Sequence, residues 1–574
     1  MITRPSINRS SSLLADMGVM TLLAAVLYGL MRVAKHWKAP LQPEVEISLS
    51  VWALPAYTLL SLLRGLAAYG VSLVFAITYG YLAARRPLAE RIMLPLLDIL
   101  QSIPVLGFLP GAVVALVAMF PRTNTGLELA CILMIFTGQV WNMTFSVYQS
   151  LRGIPLQLRE ASALYQFNWW QRFRRVELPA SAVSLAWNSM MAMAGGWFFL
   201  MVCEAFTLGS HDFRLPGLGA YMSVAVAQRE LPAILAGIVA MVLMITLVDV
   251  CLWRPVLVWV QKFRVEETAT TDVQGSVVLR WLKRSWLTQT AIDRIAHPIS
   301  EWLAFRANVR QEMPAEGSAQ QQRGTGVSRL VRAVSGGVIV LVVAWAALRL
   351  IHSLGHLPPQ DWIRVVVDAG LTLVRVLGAV ILGSLWTVPA GIWIGQSDRR
   401  RSRLQPLVQI AASFPAPMLY PLILLVLHRF GWNLNFGAVV LMLVGTQWYI
   451  LFNVIAGASS VPNDLKEVAR SYHFTARQRW WKVWWPAVFP YLVTGWVTAA
   501  GGAWNASIVA EYVSEGAHQV AVARGLGSLI SSAASQGHFD LLAAGVLMMA
   551  IVVLFVNRCL WKPLYRLAET RYAY

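Results

Sequence analysis

From end to end the chain alternates between uncharged apolar runs and short stretches rich in arginine, lysine or polar residues. The runs are about 20 residues or longer, enough to cross a hydrocarbon core of roughly 30 Å as a helix. Barrel strands would alternate over short segments instead. The pattern predicts twelve spans, near residues 13–35, 57–84, 92–119, 128–150, 180–206, 232–260, 332–351, 366–395, 405–428, 435–458, 487–512 and 539–560. The expected fold class is therefore an all-α polytopic membrane protein. The first run has no small-residue cleavage site and reads as a retained span, not a signal peptide. Basic residues follow the even-numbered spans: Arg85 and Arg86, then Lys262 and Arg264, then Arg399 to Arg403, then Lys562 and Arg566. That bias puts these loops, and with them both termini, on the cytoplasmic side.

Composition agrees. The 574 residues are 57% hydrophobic and 13% charged, with a mean hydropathy of +0.57, whereas soluble domains sit near 45–50% and about 25%. A net charge of +19 would suit nucleic acid, but it is gathered in loops at alternate span ends, where it sets orientation and implies no polyanionic partner. Cys131, Cys203, Cys251 and Cys559 all fall in apolar runs and read as small buried hydrophobes without disulfide or metal spacing. A polar linker, residues 265–328, contains "EETATTDVQGS" and "MPAEGSAQQQRGTGVS", tracts that cannot build a core. Its middle, "VVLRWLKRSWLTQTAIDRIAHPISEWLAF", has the spacing of an amphipathic helix lying on the membrane surface, with docking of a partner as the alternative.

One segment resists a purely topological reading. "REASALYQFNWWQRFRRVELPA" (Arg159 to Ala180) lies between spans four and five, and "KEVARSYHFTARQRWWKVWWPA" (Lys466 to Ala487) lies between spans ten and eleven. At an offset of 307 residues, 8 of the 21 positions from Glu160 to Ala180 are identical without a gap, where roughly one or two would follow from composition. The same offset pairs Trp141 with Trp448, Trp197 with Trp504 and Glu204 with Glu511. An offset of 308 pairs Gly217 with Gly525, Gly219 with Gly527 and "CLWRP" with "CLWKP". Upstream, 311 pairs Arg64 with Arg375, Pro104 with Pro415 and Pro110 with Pro421. The chain is a duplication of two six-span halves. An even number of spans per half makes the copies parallel, related by a pseudo-two-fold along the membrane normal. The divisions are 1–264, 265–328 and 329–574, with the repeated loops at 152–179 and 459–486.

Topology alone requires positive charge in such a loop, not Glu, Tyr, Phe and Pro at fixed spacing. A helix–turn–helix does: residues 156–166 suit a helix, Asn168 or Thr475 caps a second one, and Pro179 or Pro486 opens the next span. The loops resemble the "EAA" loop of inner-membrane permeases of binding-protein-dependent ABC importers (MetI-like, type I). They read Glu160-Ala161-Ser162 with Leu178-Pro179, and Glu467-Val468-Ala469 with Trp485-Pro486. Both copies depart at the family glycine, where Gln166 and His473 stand. The nitrate/sulfonate/taurine-type branch, in a duplicated version, is the nearest likeness and implies a small anion as solute. The resemblance implies that the chain forms the pathway and that each loop inserts into a separate ABC ATPase subunit. It assigns coupling to Glu160, Ala161, Tyr165, Phe167, Arg172 and Pro179, and to Glu467, Ala469, Tyr472, Phe474, Arg479 and Pro486. Two loops per chain imply two ATPase copies carrying ATP and Mg, and a periplasmic or lipid-anchored solute-binding protein. No cofactor is expected on the chain itself, which has no G-x-x-x-x-G-K-[ST] phosphate loop and not even a Gly-Lys pair.

Ionisable groups within spans default to functional hypotheses. Glu204 and Glu511, with Trp197, Trp504 and Asn505, are candidates for lining the pathway; a water-exposed structural carboxylate is the alternative for the two glutamates. Arg64 and Arg375 are expected to snorkel to the interface, Gly195-Gly196 and Gly501-Gly502 to allow close helix contact, and Asp249 has no assignment. Two other classes bear on the pattern. A secondary transporter of the major facilitator type also has two parallel six-span halves, and "GQSDRRRSR" echoes its loop, but the first half reads "AARRPLAER" there. A membrane enzyme is disfavoured because the nine histidines form no ligand-spaced cluster and no nucleophile–base set stands out.

Overall fold

The computed structural model describes residues 45–102, 105–208, 211–263, 277–285, 354–514 and 520–571, with isolated positions elsewhere. The expected spans at 13–35 and 332–351 and most of the linker lie outside the described residues. The first half runs α1 (Leu54–Arg85), α2 (Pro87–Ser102), α3 (Leu109–Met119), α4 (Thr125–Arg152), α5 (Leu156–Leu164), α6 (Trp169–Arg172) and α7 (Leu178–Cys203). An antiparallel hairpin of β1 (Ala205–Leu208) and β2 (His211–Arg214), pairing Phe206 with Phe213, leads to α8 (Leu218–Ala227), α9 (Leu231–Val248) and α10 (Arg254–Val260). In the linker, α11 (Val277–Arg284) is described.

The second half repeats this order. It comprises α12 (Pro359–Gly395), α13 (Asp398–Ser413), α14 (Tyr420–Arg429), α15 (Leu434–Ser459), α16 (Asn463–Ser471), α17 (Ala476–Arg479) and α18 (Trp485–Ala510). The hairpin of β3 (Tyr512–Ser514) and β4 (Val520–Val522), then α19 (Leu526–Gln536), α20 (Phe539–Val556) and α21 (Lys562–Arg571), complete it. Even irregular features recur: π-helical turns stand at Phe173–Glu177 and Trp480–Trp484, and at Asp249–Trp253 and Asn557–Trp561. Among the described residues seven helices are long and apolar enough to cross a membrane, or eight if one bent pair counts as a span.

In each half the middle helix, α4 or α15, packs between the two others, α1 and α7 or α12 and α18. Small residues let the backbones approach. A Cβ on Gly80 would lie 2.9 Å from Val147, and one on Gly391 would lie 2.6 Å from Val454, the same crossing at offsets 311 and 307. Gly196 and Gly502 do press on neighbours, Gln139 and Thr446, but Gly195 and Gly501 meet little or nothing, so only one glycine of each pair permits close contact.

The helices found at the expected spans 92–119 and 405–428 are interrupted. The second bends by 80° between Ser413 and Ala416. Pro415 forces the preceding residue out of the helical region, and Phe414 is extended, at φ −72° and ψ 128°. The first is likewise split, into α2 and α3, by the 3₁₀ turn Val105–Phe108. These breaks have a location in common, the seam between halves. Val105–Phe108 packs on α18 and α20, while α13 and Ala416–Leu419 pack on α7. At the seam Asn505 Oδ1 accepts the Val105 N–H at 2.7 Å.

Candidate functional site

The repeated loops fold alike despite differing at 13 of those 21 positions. Helix α5 ends in a turn where the Tyr165 N–H reaches Ala161 O at 3.0 Å and the Phe167 N–H reaches Ser162 O at 3.0 Å. In α16 the Tyr472 N–H reaches Val468 O at 2.9 Å and the Phe474 N–H reaches Ala469 O at 3.0 Å. This closure needs one left-handed residue, a position usually given to glycine. Gln166 (φ 48°) and His473 (φ 47°) occupy it, so the departure from the family glycine leaves the turn intact. Asn168 and Thr475 then cap the next short helix through reciprocal bonds with Gln171 and Gln478. Arg175 lies 5.6 Å over the Phe167 ring and Lys482 lies 5.4 Å over the Phe474 ring, fixing the π-helical return of the loop to the turn in both halves. Pro179 and Pro486 stand in the first turn of α7 and α18.

Glu160 and Glu467 are exposed on the outer side of α5 and α16. Beside them Leu164 is 83% exposed, Tyr165 76% and Tyr472 74%, apolar and aromatic groups left without cover. Ala161 is half-buried and Ala469 is buried against the loop's own return. Arg172 is half-buried and Arg479 exposed.

What holds each loop down differs. In the first half Glu177, buried, pairs with Arg85 at the end of α1 and lies 3.5 Å from Arg172. Trp169 Nε1 donates to the Tyr81 hydroxyl at 2.6 Å, and Tyr148 and Arg152 both reach Glu90. In the second half Trp484 stands where Glu177 does, and the loop rests on an apolar cluster of Val461, Ala469 and Val483 with Leu465, Phe474 and Trp484.

Of the pathway candidates, Glu204 and Glu511 are fully buried in ion pairs within their own halves. Glu204 accepts from Arg64 at 2.7 Å, from Ser61 at 2.7 Å and from the Gly219 N–H at 2.7 Å. Glu511 accepts from Arg375 at 2.7 Å, from Thr372 at 2.9 Å and from the Gly527 N–H at 2.8 Å. Each carboxylate thus ties the end of α7 or α18 to α1 or α12 and to the start of α8 or α19, and it lies so close to Gly217 or Gly525 that neither position has room for a Cβ. The snorkelling expected of Arg64 and Arg375 is corrected: both are buried, because a carboxylate partner within the bundle outcompetes the interface. Arg64 also grips Glu128 at 2.6 and 2.8 Å, a partner the sequence reading missed although an ionisable residue in a span was the available signal. Asn435 replaces Glu128 in the second half, at 2.9 Å from Arg375. Trp197 lines a small space closed by Gln409, Ile410 and Ser413 of the other half. Trp504 is buried, and Asn505 sits at the seam. Asp249 pairs with Arg254 at 2.9 Å in the π-helical turn. Cys131 and Cys203 are buried as expected, but Cys251 and Cys559 are exposed, because the π-helical turns carry them to the bundle's outer surface.

Two helical halves built in the same order, each with the same interhelical turn-and-cap loop, mark a duplicated membrane protein. The family model for the binding-protein-dependent transport system inner membrane component matches residues 76–252 and again 387–560, more than half of the chain. The chain belongs to that family, with the domain present twice. It is similar to the taurine transport system permease protein of Escherichia coli, at 26% identity over 40% of this chain and 86% of that protein. The nitrate import permease protein of Synechocystis is 26% identical over 34% of this chain and 66% of its own length. The bicarbonate transport system permease protein of Synechococcus elongatus is 29% identical over 33% and 64%. The glycine betaine/proline betaine permease of Escherichia coli is 28% identical over 33% and 51%. The chain thus spans most of the first relative and about half to two thirds of the others. All are transport permeases by name, which favours neither an enzyme nor the facilitator alternative.

Proposed function

We propose that the chain is the membrane subunit of an ABC importer, carrying a small anion delivered by a binding protein, with ATP hydrolysed on two separate ATPase copies. The observation that carries this reading is the pair of loops. The same left-handed turn, capping box and cation–π contact are built twice from partly different residues, and each leaves a glutamate and a tyrosine uncovered. Exposed aromatic and apolar groups beside a charge are what a protein partner buries. Glu160 and Glu467 supply the charge that fixes docking register, and Tyr165 and Tyr472 the buried anchor. Phe167, Arg172, Pro179 and their copies stiffen the loop so that ATPase closure reaches α7 and α18. Nitrate and bicarbonate, the solutes named for two of the relatives, are small anions, which supports a small anion here. The distribution of arginine and lysine supports placing both loops, and both termini, in the cytoplasm of a bacterial inner-membrane protein. Residues 1–264 and 329–574 then form the two permease halves, with 265–328 between them.

Reconstitution tests this. The chain is placed in proteoliposomes with a co-purifying ATPase, and binding proteins loaded with different anions are screened for stimulated ATP hydrolysis. Stimulation by one loaded binding protein is the expected result. Solute movement by the chain alone, with no ATPase present, would overturn the reading.

A further inference from the structure

A cavity of about 250 Å³ lies beneath the first loop, walled by the end of α1, the end of α4 and the segment from α5 to the π-helical turn. Its lining holds four guanidinium groups, Arg85, Arg152, Arg159 and Arg172, against a single carboxylate, Glu177. Arg152 is partly neutralised by Glu90 outside the cavity, at 3.1 Å, and Arg159 donates to the carbonyls of Leu151 and Arg152. Even so the lining has a surplus of positive charge. Two of its polar atoms, Arg172 Nε and Glu177 Oε2, are buried and make no hydrogen bond among the described residues. Buried polar atoms left so are costly, and here one is a donor and the other an acceptor.

We propose that this cleft binds a small oxyanion of phosphate type that retains one O–H. The anionic oxygens take the arginine donors, in the fork geometry guanidinium groups favour, and the remaining O–H donates to Glu177 Oε2. A fully ionised anion would leave that carboxylate facing like charge, and a cation would meet four arginines. The volume falls below the roughly 300–1,000 Å³ of sites for larger molecules, which suits a small ion. The second half lacks the site: Gln396, Ser459 and Trp484 stand at the positions of Arg85, Arg152 and Glu177, and Lys466 replaces Arg159. Anion binding therefore acts on one loop of the two, bridging α1, α4 and the loop. Phosphate in solution offers both groups on one phosphorus, and the headgroup of phosphatidylglycerol offers them as an anionic phosphodiester and a glycerol hydroxyl.

The test is binding by the full chain and does not depend on transport, so its outcome is separate from that of the importer reading. Purified chain in lipid-free detergent is titrated with inorganic phosphate against chloride at matched ionic strength, following melting temperature and tryptophan fluorescence. The same chain is compared in nanodiscs of phosphatidylcholine with and without phosphatidylglycerol. Wild type is expected to be stabilised saturably by phosphate, or by phosphatidylglycerol if the headgroup is the source. R152S, which copies the second half at an exposed position and spares the fold, should bind about tenfold more weakly, and R152S/R159Q about a hundredfold. Stabilisation equal in wild type and both variants, or none from either source, overturns the proposal; in the latter case an ATPase whose docking R152S weakens gives the cleft to the partner.

Discussion

The two loops share a backbone and differ in what anchors it. Turn, cap and π-helical turn coincide at an offset of 307 residues. Beneath them, the first loop is fastened by a buried carboxylate between arginines, and the second by apolar side chains. The difference separates two kinds of constraint. The outward face, with its glutamate and tyrosine, is common to both; the inward face is ionic in one and hydrophobic in the other with the same turn. The exposed side is the same in both loops, while the side that meets the bundle is built in two ways.

Substitution at one equivalent pair would break or confirm that contrast most sharply. Ser162 and Ala469 are both buried at the same loop position, one on the arginine-lined cleft and one in the apolar cluster. Ala469→Asp should cost about 3 kcal/mol, since a charge enters an apolar site without a partner, whereas Ser162→Asp should cost nothing or stabilise. Melting temperatures in detergent at low salt compare them; equal losses would mean that the two anchors do not differ electrostatically. Arg85→Gln should cost about 2 kcal/mol by leaving Glu177 with Arg172 alone, while Gln396→Arg in the second half gains nothing, because Trp484 offers it no carboxylate. Urea titration monitored by circular dichroism reads both. Smallest is the backbone effect. Gln166→Gly and His473→Gly should each stabilise by about 1 kcal/mol, and by similar amounts, because both relieve a left-handed side-chain clash. A gain in one loop only would show that the turns are not equivalent.

The duplication and the loops were legible in sequence because identical residues recur at a fixed offset, and Asn168, Thr475, Pro179 and Pro486 have strong positional preferences. The break between α2 and α3 and the bend between α13 and α14 were not, since a hydropathy run reads straight through an interruption and the prolines reveal only a probable break. Nor were the buried pairs. Arg64 and Glu204 are 140 residues apart, and nothing in one apolar helix names its partner in another. The left-handed turn was hidden for a different reason: neither glutamine nor histidine advertises the conformation that its neighbours impose. Asn505 was singled out as a polar residue in a span, but its bond to Val105 across the seam depends on how the halves dock.

Charge reversal at Glu160 and Glu467 together bears most directly on the role of the shared outward face. Both side chains are exposed, so E160K/E467K should insert and melt as the wild type does. ATP hydrolysis is measured in proteoliposomes containing the double variant, the ATPase and loaded binding protein. Stimulation should fall at least about tenfold, as loss of a charge-assisted contact at each of two docking sites requires. Full stimulation in the double variant would contradict the assignment of these loops as the coupling elements.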